Sequence, residues 1–343
     1  MKNCSSLQCN SASGLDELIV PWPADLRDGN MSEWQVAYLK AKQRFLQYLE
    51  RRHPFVLIGL RRLKGERCQL LPLEYPVDNS WPRYGYGKPP LSPVLAIIEL
   101  GRERYRTRLR EFARASEWLK SVPYLSNERG HDPYWLNTWF TGLDALSLYS
   151  FLASLNPRLY VEIGSGHSTR FARRAIRDQG LRTHILSIDP SPRTAVDELC
   201  NERVRQRLED LDLSIFERLR PGDILFFDGS HRCFVNTDVT VFFLEVLPRV
   251  PYGVLVHIHD IYLPFDYPVG NLYYNEQYLL AVYLIASATT EILMPNAFVA
   301  ADRELVGEIK TPWQKAHLSD VPLNGSSFWF MTASQMMTSQ VDR

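Results

Sequence analysis

The sequence predicts an α/β fold in which a mostly parallel sheet carries helices on both faces, preceded by a mainly helical N-terminal extension. Three observations predict it. From residue 132 onward short apolar runs alternate with helical sequence, the pattern of strands joined by crossover helices. The run LYVEIGSGHSTR at residues 159–170 passes from strand-like sequence through a glycine-rich turn into helix. Acids recur just after the later apolar runs, where ligands sit in open sheets.

Taken in order, the first 30 residues read as a loose tail, because MKNCSSLQCNSASG has no apolar core of the kind a secretory signal needs. Residues 31–130 read as a helical and loop-rich region. Within it, Trp34, Tyr38, Phe45 and Leu49 mark a surface helix from Met31 to Glu50. Leu71 to Pro93 is rich in proline, glycine and aromatics, which predicts an irregular connection or a lid. Pro93 to Lys120 predicts one long amphipathic helix with Ile98, Tyr105, Phe112 and Leu119 on a single stripe. Such a stripe packs on a core or forms a seam for a homo-oligomer through these helices.

The boundary of the second domain, residues 131–335, is placed near Leu125 to Asp132. A helix over residues 132–153 buries Leu143, Leu146, Tyr149 and Leu152. Strands are predicted at Leu159–Ile163, His184–Ile188, Asp223–Phe227, Gly253–Ile258, Glu291–Met294 and Ser326–Met331. A further strand ends near Glu209 and Asp210. For Asp302 to Asn324 the pattern predicts no element.

The 39 basic and 39 acidic side chains balance, so no global field draws the chain to nucleic acid or to an anionic membrane. The longest apolar run, Tyr278 to Ala288, falls short of the roughly 20 residues needed to cross a bilayer. Five cysteines are scattered without metal-ligand pairing, which suits a reducing, cytoplasmic setting.

The turn G-S-G-H-S-T departs from a dinucleotide fingerprint, since Thr169 stands at the third glycine position. Glu162 would repel a pyrophosphate but welcomes an amino group. Asp189 follows Glu162 by 27 positions, where a carboxylate holds a ribose diol. This charge pattern favours a methyl donor over a nicotinamide cofactor.

VEIGSGHST, SIDP, FFDGSH, HIHD and YNEQYLL, in that order, resemble the class I S-adenosylmethionine-dependent methyltransferases over about residues 132–300, and GSSFWF at residues 325–330 looks like the closing strand of such a domain. The likeness is to cephalosporin-hydroxylase-like and macrocin-type O-methyltransferases, and more distantly to the catechol type. It implies a Rossmann-like sheet. It also implies S-adenosylmethionine contacts at Glu162, Gly164, Ser165, Gly166, Asp189 and Asp210, with Asp228 beside them. By position it further implies a divalent cation, magnesium or another metal, held by Asp228, His259 and Asp260. His259 departs from the acid expected there, and Ile261 from the asparagine of the catechol type.

Methyl transfer to a hydroxyl needs a positioned base. His231 and His257 are the candidates for that role in O-methylation of a small-molecule acceptor. Two other functions compete. His257, His259 and Asp228 could form a two-histidine, one-carboxylate site for a metal-dependent hydroxylase, or the domain could bind a partner without turnover. Glu276 reads as a helix-face or pocket-rim residue. Trp81, Tyr84, Tyr86, Trp135, Trp139 and Phe140 suggest a planar or apolar acceptor.

Overall fold

The computed structural model describes residue 56 and residues 82–332, apart from 127–129, 138, 141, 193–194, 269–272 and 288–289. The expected N-terminal tail, the Met31–Glu50 helix, most of the Leu71–Pro93 loop and Trp81 lie outside these residues.

Seven strands form one sheet: β1 (Leu159–Ile163), β2 (His184–Ile188), β3 (Glu202–Val204), β4 (Ile224–Phe227), β5 (Leu255–Ile258), β6 (Glu291–Pro295) and β7 (Phe328–Met331). Their order is β3-β2-β1-β4-β5-β7-β6. The first five run parallel, while β7 lies antiparallel between β5 and β6. The chain winds outward from β1 to β3 and then crosses back to β4 on the other side of β1. Ligands bind at such a switch point. β1, β4 and β5 are buried along their whole length, which explains their continuous apolar runs.

β3 ends at Val204, so Glu209 and Asp210 do not close a strand as expected. They lie in a 3-10 turn, Leu208–Asp210. The edge strand ERV holds one apolar residue, too little for a period-two signal to register.

The predicted long N-terminal helix is broken into α1 (Ser92–Glu99), α2 (Arg102–Phe112) and α3 (Ser116–Leu119), with a 3-10 turn at Ala113–Ala115. Gly101 makes the first break: a Cβ there would overlap the Tyr105 ring, whose hydroxyl donates 2.8 Å to the Ile98 carbonyl oxygen. The stripe itself is buried as core. Phe112 packs edge-on to Phe151 at 5.2 Å, and Phe151 meets Trp329 of β7 at 4.7 Å. These helices therefore share the core of the sheet, and the described residues from Pro82 on belong to one compact unit.

α4 (Leu143–Leu155) precedes β1, α5 (His167–Asp178) follows it, and α6 (Asp238–Val241) follows β4. α7 (Glu276–Ala286) precedes β6, and α8 (Asn296–Ala301) follows it. Part of the Asp302–Asn324 excursion is α9 (Arg303–Lys315), whose first amides at Glu304 and Leu305 are capped by Asp302. α9 packs on α2 through Arg102–Asp302 at 2.6 Å and Arg110–Glu308 at 2.8 Å. Among the described residues no helix is long and apolar enough to cross a membrane.

Candidate active site

Two groups of residues meet where β1 and β4 end. The first is the glycine turn. Gly164 has φ +81°, and a Cβ there would overlap the carbonyl oxygen of Asp228, so only glycine suits this position. Gly166 differs: its backbone is extended, and no atom lies within 4 Å of the place a Cβ would occupy. That open face, beside the first amides of α5, is a cradle that a ligand can fill. Asp189 accepts from the Ser165 amide at 2.7 Å and from the Ser191 amide at 2.7 Å, which fixes its carboxylate at the end of β2. Ser165 is further tied to Ser187 by a 2.7 Å hydroxyl pair. Gly164, Ser165, Gly166 and Asp189 thus lie together at the ends of β1 and β2.

Glu162 does not face that cradle. It is fully buried; Tyr160 Oη donates to it at 3.0 Å, and Thr169 Oγ1 donates to its other oxygen. Thr169 Oγ1 in turn accepts from the Gly166 amide at 3.0 Å. Glu162 therefore braces the turn from behind rather than meeting an amino group. Burial pushes its carboxyl up to about 7, against the lowering effect of its hydroxyl donors. Asp210 is also displaced from its expected role: it lies exposed and paired with Arg207 at 2.8 Å.

The second group gathers round His231. Its Nδ1 lies 2.5 Å from Glu276 Oε1, and its Nε2 lies 3.4 Å from Asp228 and 3.6 Å from Asp260. The Tyr274 ring lies 4.5 Å from the imidazole. Both His231 (φ +61°) and Asp260 (φ +54°) adopt the left-handed backbone, a conformation that non-glycine residues keep where surroundings enforce it. Asp260 is held by the Ser326 hydroxyl at 2.9 Å. Burial alone would lower the His231 pKa, but the carboxylates of Glu276, Asp228 and Asp260 outweigh it and push it up to about 9.

The remaining histidines are placed otherwise than expected. His257 is enclosed within the sheet, stacked on Phe226 at 3.8 Å with Trp329 at 4.4 Å. Among the described residues neither ring nitrogen has a hydrogen-bond partner, and burial holds its pKa well below the usual range. It cannot serve as a base or join Asp228 in a hydroxylase-type site. His259 turns its Nε2 to the Trp139 carbonyl at 3.2 Å and its Nδ1 to Ser327 at 3.4 Å.

Of the set expected for a divalent ion, Asp260 lies between two histidines, 3.6 Å from His231 Nε2 and 3.9 Å from His259 Nε2, and Asp228 lies 3.4 Å from His231 Nε2. His259 Nε2 is also engaged by the Trp139 carbonyl. Among the described residues no group of three or more His, Cys, Asp or Glu side chains is arranged to hold a metal ion. Of the aromatics expected to face an acceptor, Trp135 and Phe140 fill the core instead, while Tyr86 and Trp139 stay exposed.

Sequence reasoning underrated Glu276 and missed Tyr274 as site residues. The signal was present in YNEQ: Asn275 bonds to both sides of the histidine loop, its amide to the His231 carbonyl at 2.9 Å and its Oδ1 to the Cys233 amide at 2.6 Å.

A family model described as a methyltransferase domain matches residues 161–261. Among solved structures, an O-methyltransferase from Bacillus cereus in complex with SAH is 12% identical, covers 66% of this chain and 91% of its own, and has a TM-score of 0.34. A methyltransferase from Geobacter sulfurreducens is 16% identical over 75% of this chain and 93% of its own, with a TM-score of 0.31. A cmcI structure with Mg-SAM is 18% identical over 53% and 69%, with a TM-score of 0.30. No curated protein matches the chain.

Proposed function

We infer that this chain, a class I S-adenosylmethionine-dependent methyltransferase by its family match and the order of its sheet, methylates a hydroxyl of a small molecule with His231 as the base. The observation that carries this reading is the placement of His231 Nε2 between two half-open carboxylates, beside the backbone that Gly164 touches. When bound, S-adenosylmethionine supplies a methyl group made electrophilic by its sulfonium.

The chain's own residues do the rest. Gly164 and Gly166 let the backbone approach the donor, and Asp189 offers its carboxylate to a diol. His231 would take the proton from the hydroxyl at Nε2 as the new oxygen–carbon bond forms and the sulfur–methyl bond breaks, the neutral sulfide being the leaving group. The surrounding carboxylates keep the ring charged at neutral pH, so the base form grows as the medium becomes alkaline. In this reading Asp228 and Asp260 act on the His231 imidazole, which lies 3.4 Å and 3.6 Å from them. The balanced charge supports a small acceptor over nucleic acid, and we place the protein in the cytoplasm.

The test is calorimetry with S-adenosylmethionine. It is followed by an assay for S-adenosylhomocysteine release as catechol, a monophenol and an aliphatic alcohol are supplied in turn. Binding with turnover in at least one case, and a loss of about 10²–10⁴-fold in rate for His231→Ala with cofactor affinity retained, is expected. Absence of heat at millimolar cofactor sinks the reading. Binding without turnover on a wide acceptor panel turns it toward the silent, ligand-binding alternative.

A further inference from the structure

We propose that Glu276 is a positioning residue that fixes the tautomer and orientation of His231, so that Nε2, and not Nδ1, is the nitrogen that exchanges a proton with the acceptor. The proposal rests on the reading of His231 as the base.

Glu276 has no accessible surface. A carboxylate in that position needs a compensating partner, and the one that contacts it is the His231 imidazole, at 2.5 Å from Oε1. Its second oxygen, Oε2, is buried with no partner among the described residues, so the pairing with His231 is what makes an acid tolerable there. A solvated helix-face residue would show neither property.

The contact is enforced by the chain on both sides of it. Glu276 is the first residue of α7. The residue before it, Asn275, clamps the backbone at His231 and at Cys233. The ring is thereby brought to the acid even though His231 must adopt a left-handed backbone to do so. Such a conformation costs about 1–3 kcal/mol and persists only where neighbours over-determine it.

The chemical consequence follows from which groups can donate. Burial pushes the Glu276 carboxyl up to about 7; above that pH the ionised carboxylate only accepts, so the contact requires a proton on Nδ1. When the ring is neutral, its lone pair is then on Nε2, the nitrogen that faces Asp228 and Asp260. A glutamine at position 276 could present its amide N–H to Nδ1 instead, which would favour the opposite tautomer and leave Nε2 protonated and useless as a base.

The experiment is two-bond proton–nitrogen NMR of the full chain labelled with nitrogen-15 in its histidines, with His231→Ala used to assign the signals. At alkaline pH the expected result is His231 as the Nδ1–H tautomer. At lower pH a far-downfield Nδ1 proton is expected. Glu276→Gln should lose that proton and move the neutral ring toward the Nε2–H tautomer, and Glu276→Asp should shift the proton only partly. Cofactor calorimetry checks that each variant is folded.

A wild-type spectrum with His231 in the Nε2–H form overturns the proposal without any variant. So does a folded Glu276→Gln whose His231 signals match the wild type. The spectrum needs no acceptor. Retained methyl transfer in His231→Ala would therefore overturn the base reading while the tautomer assignment is decided separately.

Discussion

The two ends of strands that meet at the switch point are built in opposite ways. At the ends of β1 and β2, the acids Glu162 and Asp189 are held by short-range donors, namely the hydroxyls of Tyr160 and Thr169 and the amides of Ser165 and Ser191. At the ends of β4 and β5, Asp228, Asp260 and Glu276 share one imidazole. The first arrangement is held by neutral donors and offers shape. The second is left with more negative than positive charge and offers reactivity. Preorganised backbone suffices to hold a donor, whereas proton transfer needs a group whose charge can change.

The contrast can be broken most severely at Gly164. Gly164→Ala should destabilise the fold by at least the roughly 1–3 kcal/mol of a left-handed backbone, with the overlap on Asp228 added, and abolish cofactor binding; urea unfolding and calorimetry measure both. An alanine with normal stability there would show that the two ends are not in contact.

The pH dependence of transfer comes next in size. On the proposed reading the neutral imidazole is the base, and the carboxylates raise its pKa to about 9. The rate to a responsive acceptor should therefore climb with pH from neutrality to about 9 and then level. A flat profile across that range removes His231 from the role.

Gly166→Ala should weaken S-adenosylmethionine binding about tenfold, or 1.4 kcal/mol, while leaving unfolding within about 0.5 kcal/mol of wild type, since its Cβ would enter open space. Equal affinity would mean that the cradle holds nothing.

An effect on stability alone, outside the site, is expected at His257. Its folded pKa is depressed, so the unfolded chain takes up a proton below about 6.5 that the folded chain refuses. This imposes a loss of about 1.4 kcal/mol per pH unit as pH falls. His257→Phe, which keeps a ring against Phe226, should flatten that acid limb in urea unfolding at pH 7 and pH 5. An unchanged slope would mean that His257 titrates normally.

How much of this was legible depended on whether a site lies in one stretch of chain. LYVEIGSGHSTR contains a strand, its turn and a helix start, so local chemistry declared the donor end. The strand positions followed from apolar runs buried on both faces. What sequence could not give was direction. Glu162 and Gly164 are two apart, yet the acid points behind the turn because strand residues alternate and Thr169 is there to receive it. His257 and His259 share a face in HIHD, but Phe226 and Trp329 close over the first. Glu276 looked like any acid at the start of a helix, since its partner lies 45 residues earlier. The break at Gly101 was hidden because Ile98, Tyr105, Phe112 and Leu119 keep their spacing across it.

The absent side chain at Gly164 also acts as a length standard. With the first turn resting directly on the peptide of Asp228, whose carboxylate lies 3.4 Å from His231, the spacing between the glycine turn and that residue is set by backbone and cannot be retuned by rotating a side chain.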